Sequence, residues 1–568
     1  MPRRTPACTS RSTVANDCAA SGVCPPFPDS SSIASPAGAP MPSARSSTVP
    51  SSRIGPSWRP GPPRGRGPLL GTLALLVACH AAGAQESAID TMSLRRVAAF
   101  LASDELRGRG TGTVGEEMAA SFLADRCRAL GLETVGSDQY HHPVALERAT
   151  ILESRTRVRV TGPDTDTTFV LGEEFIPDVG TAATLRGFAG PLAYVGRARD
   201  LLFRRSDLPD LRGAVALMRG ELGAWGEAAD TLFARGAVGL IQVVDDARRY
   251  RLFRATRGPT RLYLADEASP SSFIPVLPAI LAGPRMTVTL YEGLTGVTHG
   301  SWNDAYLNGL AAGLPSPRLL DGWRAEVEVG TRAEPVTARN VACVLRGEGP
   351  AADTAIALVA HYDHLGVGEP DLAGDSIYNG FSDNATGVAM ALGVAQALAR
   401  DRAVGRGLRH SLLLLFFTGE EQGLLGADAF VARPAWPLGR LRGVLNLDAN
   451  APAGPPRAWR IAGDDTSPLV RLVDAEARRQ GWETTIAPAA PGSDYYAFHR
   501  RGVPSVFVVP SDGPYEGVGV TVSDSLRAAV WGRYHRPDDE YRADFPFAGL
   551  QRYAAFTRDV VRRLDAAR

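Results

Sequence analysis

Residues 354–366 read TAIALVAHYDHLG, 379–399 read NGFSDNATGVAMALGVAQALA, 412–430 read LLLLFFTGEEQGLLGADAF and 443–450 read GVLNLDAN. Three apolar runs in this stretch, Ala355 to Ala360, Leu412 to Phe417 and Val444 to Leu447, are short, unbroken and bounded by polar residues or glycine. That is the pattern of strands buried on both faces, as in a parallel sheet covered by helices. Ionisable residues stand at or just past the C-terminal end of each run: His361 and Asp363, then Glu420 and Glu421, then Asp448. Open α/β sheets bind their ligands at the C-terminal ends of strands, so these groups should converge on one rim. Four carboxylates crowded there would repel and raise one another's pKa, a penalty that a divalent cation removes. Imidazole mixed with carboxylate suits zinc. Any one of these residues alone would pass for an ordinary polar loop position. The joint loading of three strand ends is what points to a metal centre.

Working outward, Asn340 to Leu345 predicts a strand leading into this stretch, and Ala385 to Arg400 a helix with an Ala-rich, close-packing face. Downstream, Trp459 to Ala462 reads as a strand, and Ser467 with Pro468 supplies an N-cap and first-turn pair for a helix to Gln480. A Gly-Ser-Asp loop, a short aromatic helix and a buried strand, Ser505 to Val509, follow in APGSDYYAFHRRGVPSVFVVPSD. RYHRPDDEYRADF supplies His535, and Phe547 to Leu564 closes the chain as a helix. Upstream, Ile89 to Leu101 has helical spacing and precedes a Gly-rich turn. Thr113 and Glu116 then form a capping-box pattern, with Val114, Met118, Phe122 and Leu123 marking one helix face up to Gly131. No strand precedes Gly108, Gly110, Gly112 and Gly115, which argues against a phosphate-binding loop.

Residues 152–316 change character. Short β-like runs such as RVRVTG, TTFVLG and PLAYVG are split by Gly, Pro and Asp, and are followed by DLRGAVALMRG, a helical EAADTLFARG and AVGLIQVVDD. The segment holds one histidine, His299, and no convergent acidic cluster. It is expected to be a small β-rich module with one or two helices that shapes access to the site, without a second active site of its own.

The chain has 568 residues, too many for one core, so two domains plus a tail are expected. The 61 basic and 61 acidic residues cancel, which removes any electrostatic case for nucleic acid or a membrane surface as partner. Residues 1–66 are rich in Ser, Pro, Ala and Arg without apolar period, and are expected to be disordered or untranslated. Arg64-Gly-Arg66 and the run LLGTLALLVA from Leu69 to Ala78 give the basic and apolar parts of an export signal over residues 67–84. Ala82-Gly83-Ala84 resembles a signal-peptidase site, and Leu76-Val77-Ala78-Cys79 a lipobox that would make Cys79 a lipid anchor. Both place the protein outside the cytoplasm, in the periplasm or the medium. Of six cysteines only Cys127 and Cys343 fall in the expected folded part, and two buried free thiols are expected there in preference to a bridge. Nothing in the sequence specifies an oligomeric state.

The motifs AHYDHLG, GFSDNATG, TGEEQGLLGA, NLDAN, PGSDYYAF and YHRPDD together resemble the co-catalytic di-zinc aminopeptidases related to aminopeptidase Y and the bacterial leucyl aminopeptidases. Glutamate carboxypeptidase II and the transferrin receptor are more distant relatives. The resemblance covers most of residues 87–568, and the module with DLRGAVALMRG is similar to the protease-associated domain often inserted in this family. It implies an α/β fold, with a mixed, mainly parallel central sheet flanked by helices. The catalytic domain would be split into residues 87–151 and 317–568 around the insert.

The resemblance further implies two zinc ions, with peptides as substrates. His361 and Asp448 would bind one metal, Glu421 and His535 the other, and Asp383 both, with a cis bond from Asp383 to Asn384. Glu420 would be the general base, Asp363 would orient His361, and Tyr534 would donate to the oxyanion. Asp539 would support His535, His364 would be a loop or supporting residue, and Ser493 and Asp494 would lie at the substrate. Tyr495 stands where relatives often carry histidine. Two metals about 3.5–4 Å apart would activate a bridging water. Rival readings on the same fold are a glutaminyl-cyclase-like transferase, a glutamate-type carboxypeptidase and a receptor-like binding protein. The full set of ligands and base argues against the first and last.

Overall fold

The computed structural model describes residues 88–178, 187–198, 201, 207–220, 225–244, 250, 260–265, 277–298, 300, 316–448 and 451–567. The tail over 1–66, the export signal over 67–84, Cys79 and His299 lie outside the described residues.

One mixed sheet has nine strands. In chain order these are β1 (His141–Ile151), β2 (Thr260–Leu264), β3 (Thr331–Leu345), β4 (Ala355–His361), β5 (Ser411–Phe417), β6 (Leu441–Asn446), β7 (Ala458–Gly463), β8 (Glu483–Ala487) and β9 (Ser505–Pro510). Across the sheet they run β8-β7-β9-β6-β4-β5-β3-β1-β2. The four central strands, β9, β6, β4 and β5, are mutually parallel, and β3, β1 and β2 extend the sheet antiparallel. All seven residues of β4 and all seven of β5 are buried, which is why they read as unbroken apolar runs.

Eight helices accompany this sheet: α1 (Thr91–Leu101), α2 (Val114–Ala129), α3 (Thr386–Ala403), α4 (Leu425–Ala432), α5 (Pro468–Arg479), α6 (Tyr495–His499), α7 (Val520–Trp531) and α8 (Ala548–Ala566). Alternate residues of β4 serve two cores. Ile356, Leu358 and Ala360 pack with α1, α2, α3, α5 and α8, while Ala355, Ala357 and Val359 pack with α4 and α6. Small residues set these approaches: a Cβ at Gly393 of α3 would lie 2.7 Å from Leu94 of α1. The Ser467 side chain caps α5 by accepting from the Leu469 amide, with Pro468 in the first turn.

Two expectations change. The buried face of α2 is Gly115, Glu116, Ala119, Ala120, Leu123, Ala124 and Cys127, whereas Val114 and Met118 are exposed. The small side chains let the helix lie close to its neighbours, with Leu123 filling the core between them, while Val114 and Met118 turn outward. Cys127 and Cys343 are also not free thiols. Because α2 packs against β3, their Cα atoms stand 6.2 Å apart and the sulfurs are bonded.

A second sheet of eight strands lies between β1 and β3 in the chain. Its order is Thr165–Val170, Arg157–Gly162, Arg318–Glu328, Phe188–Arg197, Val215–Gly220, Gly239–Val244, Ala279–Ala282 and Phe175–Asp178. It has its own apolar clusters, one with helix Pro284–Thr295 and one with helix Trp225–Ala234. Hydrogen bonding draws its limits differently from composition. The sheet takes in Arg318–Glu328, past residue 316, whereas Thr260–Leu264 pairs with β1 in the first sheet. Among the described residues no helix is long and apolar enough to cross a membrane.

Candidate metal centre

In-register parallel pairing places the ends of β4, β5 and β6 side by side, with His361 opposite Phe417 and Val359 opposite Asn446. His361 therefore ends its own strand, Glu420 and Glu421 follow β5 within one turn, and Asp448 stands two residues past β6. Asp383 comes from the turn before α3, and its bond to Asn384 is cis.

The Asp383 carboxylate is shared between two sets of ligand atoms. Its Oδ1 lies 3.1 Å from His361 Nε2, which is also 3.4 Å from Asp448 Oδ1. Its Oδ2 lies 3.0 Å from His535 Nε2, which is 3.2 Å from Glu421 Oε2. His361, Asp383 and Asp448 form one group able to hold an ion, and Asp383 and Glu421 with His364 another. His535 has φ 57°, a left-handed conformation uncommon outside glycine.

These residues fit zinc on their own chemistry. His361 Nδ1 lies 3.2 Å from the Asp363 carbonyl oxygen, which can only accept. Nδ1 therefore carries a proton, and whenever the ring is neutral its lone pair sits on Nε2, turned to the carboxylates. That Nε2 is buried with no hydrogen-bond partner. Lone pairs facing one another at such distances require a proton or a cation between them. The spacing also suits a tetrahedral ion, whose ligand atoms at roughly 2.0–2.1 Å stand about 3.3 Å apart.

Electrostatics follow from burial and crowding. Burial opposes the charge on His361, yet Glu420, Asp448, Asp363 and Asp383 hold its pKa well above the ordinary value. Burial likewise opposes the charge on His535, but Glu421 and Asp383 push it up to about 10. Burial would raise Asp383, but the imidazoles of His361 and His535 hold it well below the usual carboxylate range. Glu421 is held at about 2, against burial, by His535 and His364. Glu420 goes the other way: burial, with Asp448, Glu421 and Asp494 nearby, lifts it well above a normal glutamate. Burial and the surrounding carboxylates also keep the Tyr534 phenol protonated. Its ring stacks on His535, with centroids 3.8 Å apart.

Supporting contacts depart from expectation in four places. The Asp363 carboxylate is 3.7 Å from His361 Nδ1, too far to bond it. Asp363 meets His361 through its main-chain carbonyl, and its carboxylate accepts instead from Thr111 Oγ1 at 2.8 Å and the Glu420 amide at 3.2 Å. Asp539 does not face His535. It accepts from Ser382 N at 3.0 Å, Ser382 Oγ at 2.8 Å and Asp383 N at 3.3 Å, and so holds the turn that carries the shared carboxylate.

Ser493 and Asp494, expected at the substrate, are both fully buried. Ser493 Oγ donates to Asp448 Oδ2 at 2.5 Å and accepts from Asn446 Nδ2 at 2.7 Å, which leaves it no reach to a peptide. Neither oxygen of Asp494 has a hydrogen-bond partner, and burial raises its pKa strongly. His364 Nδ1 lies 2.7 Å from Glu421 Oε1. Its ring fills the space where Gly380, at φ 60°, lacks a Cβ, which would stand 2.5 Å from His364 Cγ.

Three contributors escape a reading of the sequence. Thr111 and Arg109 lie in a segment with no ligand chemistry of its own, and Asn446 stands inside a buried strand two residues before Asp448. Arg109 is completely buried and donates to main-chain carbonyls on both sides of the site. An arginine between two glycines carries no signal of such a role, because its contacts with the turns near the site are made with residues some 250 positions or more away.

Solved structures similar to the chain include an aminopeptidase from Aneurinibacillus sp. strain AM-1, at 16% identity and TM-score 0.45, over 83% of this chain and 93% of that one. A zinc aminopeptidase from Bacillus subtilis is similar at 16% identity and TM-score 0.41, over 84% and 96%. A peptidase M28 precursor from Shewanella amazonensis is similar at 14% identity and TM-score 0.37, over 84% and 98%. No curated protein matches the chain. Residues 340–561, which contain every ligand and catalytic candidate named above, match the sequence model of peptidase family M28.

Proposed function

We propose that the protein is an exported, zinc-dependent aminopeptidase that removes N-terminal residues from peptides by attack of an activated water. The observation that carries this reading is the division of one buried carboxylate, Asp383, between two His-carboxylate pairs in the segment that matches the M28 family model. His361 and Asp448 would hold one zinc, Glu421 and His535 the other, with Asp383 common to both. Bound there, two such ions acidify a water and polarise the scissile carbonyl.

The chain's own residues supply the rest. Glu420, lifted in pKa and held through its amide by Asp363, takes the proton of the attacking water and returns it to the leaving amine. Tyr534, kept as a phenol, donates a hydrogen bond to the developing oxyanion. The Cys127–Cys343 bond supports an oxidising compartment, as the N-terminal segment does by its composition. Cys79 remains a candidate lipid anchor, and the eight-stranded sheet is read as a protease-associated module that shapes access.

The test is a panel of aminoacyl chromogenic substrates with N-acetylated controls, with and without chelator, beside Glu420→Ala. Chelator-sensitive release from free N-termini alone, abolished in the variant, is expected. Full metal occupancy with no release from any free amine would overturn the proposal and favour a cyclase or carboxypeptidase reading.

A further inference from the structure

The guanidinium of Arg109 reaches three separate parts of the chain. Nε donates to the Tyr362 carbonyl at 2.7 Å, Nη1 to the Asn379 carbonyl at 2.6 Å and to that of Leu101, and Nη2 to the Gly380 carbonyl at 3.0 Å. Its own carbonyl accepts from the His364 amide at 3.1 Å. Tyr362 directly follows the ligand His361, and Gly380 lies three residues before the shared ligand Asp383. One planar group therefore spans the two turns whose separation decides whether Asp383 can face His361 with one oxygen and His535 with the other.

The local backbone is shaped for this contact. Arg107, Gly108 and Arg109 all have positive φ, at 45°, 68° and 49°. A Cβ at Gly108 would stand 2.3 Å from the Gly366 carbonyl and 2.5 Å from that of Tyr378, so the loop is pressed against both turns.

We propose that Arg109 is a positioning residue for the metal centre: it locks the turn after β4 to the turn before α3 and so sets the distance between the ligands His361 and Asp383. It lies outside the segment that matches the M28 family model, so the N-terminal part of the chain completes the site. Its charge adds to the effect. Burial lowers its pKa to about 10, against the pull of Asp363, Asp383, Asp539 and Glu421, and it remains a cation at neutral pH among these carboxylates. Lysine cannot replace it, because one ammonium offers donors from a single point and these carbonyls are met by a rigid fork.

This inference rests on the metal-centre reading, and its test does not use peptidase activity. Zinc affinity is measured by competition with a chromophoric chelator for wild type, Arg109→Lys and Arg109→Gln, with the visible spectrum of the cobalt-substituted proteins as a second readout. Leu469→Ala, on the buried face of α5, controls for lost stability. Both arginine variants should bind zinc at least about tenfold more weakly, as for other residues that orient ligands, and shift the cobalt bands, while Leu469→Ala changes neither. Equal affinity and unchanged bands in folded arginine variants would overturn the inference alone. Failure of the wild type to bind zinc would sink the metal-centre reading, and the inference with it. Should the variants not fold, hydrogen exchange in the wild type decides. Zinc should slow exchange in peptides covering residues 101–112, and unchanged protection there would refute the coupling.

Discussion

Glu116 offers a test of the packing that supports the site without touching a ligand. Its side chain is buried, and accepts from Gly112 N at 2.6 Å, Tyr362 Oη at 3.2 Å and the Thr418 hydroxyl. Burial, the largest influence, pushes its pKa up from 4.5 to about 7. Because the folded-state value is raised, folding favours the protonated form. The contribution is fully present below pH 4.5 and is lost as the pH rises through 7. At 1.36 kcal/mol per pH unit the loss amounts to about 3 kcal/mol across that window. Glu116→Gln removes the titration. It also leaves either the Gly112 amide or the Tyr362 and Thr418 hydroxyls without an acceptor, at a cost of about 1–3 kcal/mol, so the readout is the pH dependence and not the absolute stability. Urea unfolding followed by tryptophan fluorescence at pH 4.5, 5.5, 6.5 and 8, with metal content held constant, should show the wild type losing about 3 kcal/mol relative to the variant. A difference between the two that stays constant over this range would refute the argument that burial governs Glu116.

Three further outcomes are expected. The Cys127–Cys343 bond closes a loop with a sequence separation of 216, so replacing both by alanine should destabilise by at most about 5 kcal/mol by the loop-entropy relation. Dithiothreitol should then destabilise the wild type and leave the variant unchanged, whereas equal sensitivity in both would contradict the pairing. Ser493→Ala frees one oxygen of Asp448 and should weaken zinc binding about tenfold in chelator competition; unaltered binding with altered KM would return Ser493 to the substrate. Tyr534→Phe should lower kcat about 10²-fold with KM and metal content unchanged, as for loss of an oxyanion donor, and an unchanged kcat would remove Tyr534 from the chemistry.

Much of the candidate site was legible because four of its residues stand at or just past strand ends. Buried parallel strands announce themselves as apolar runs, and His361, Glu420, Glu421 and Asp448 fall at their C-terminal limits by simple counting. The Ser467-Pro468 helix start was legible for a similar reason, since capping is local chemistry between near neighbours. The face of α2 was misread because size stood in for burial. Ala119, Ala120 and Ala124 are inside and Met118 is out, since close approach to the sheet favours small side chains. Asp539 stands four residues from His535 in the chain, yet its hydrogen bonds go to Ser382 and Asp383, more than 150 residues away.

By itself the sequence determined the strand-end loading with imidazole and carboxylate, and hence an α/β fold with a metal-type rim, because strand burial and side-chain chemistry are properties of short windows. Only the tertiary structure decided that Asp383 divides its oxygens between two imidazoles, that Cys127 meets Cys343, that Ser493 serves Asp448, and that Arg109 bridges the turns after β4 and before α3. Each of these depends on distances between residues far apart in the chain, which are set by the register of a nine-stranded sheet and the packing of helices upon it, and no local pattern encodes them.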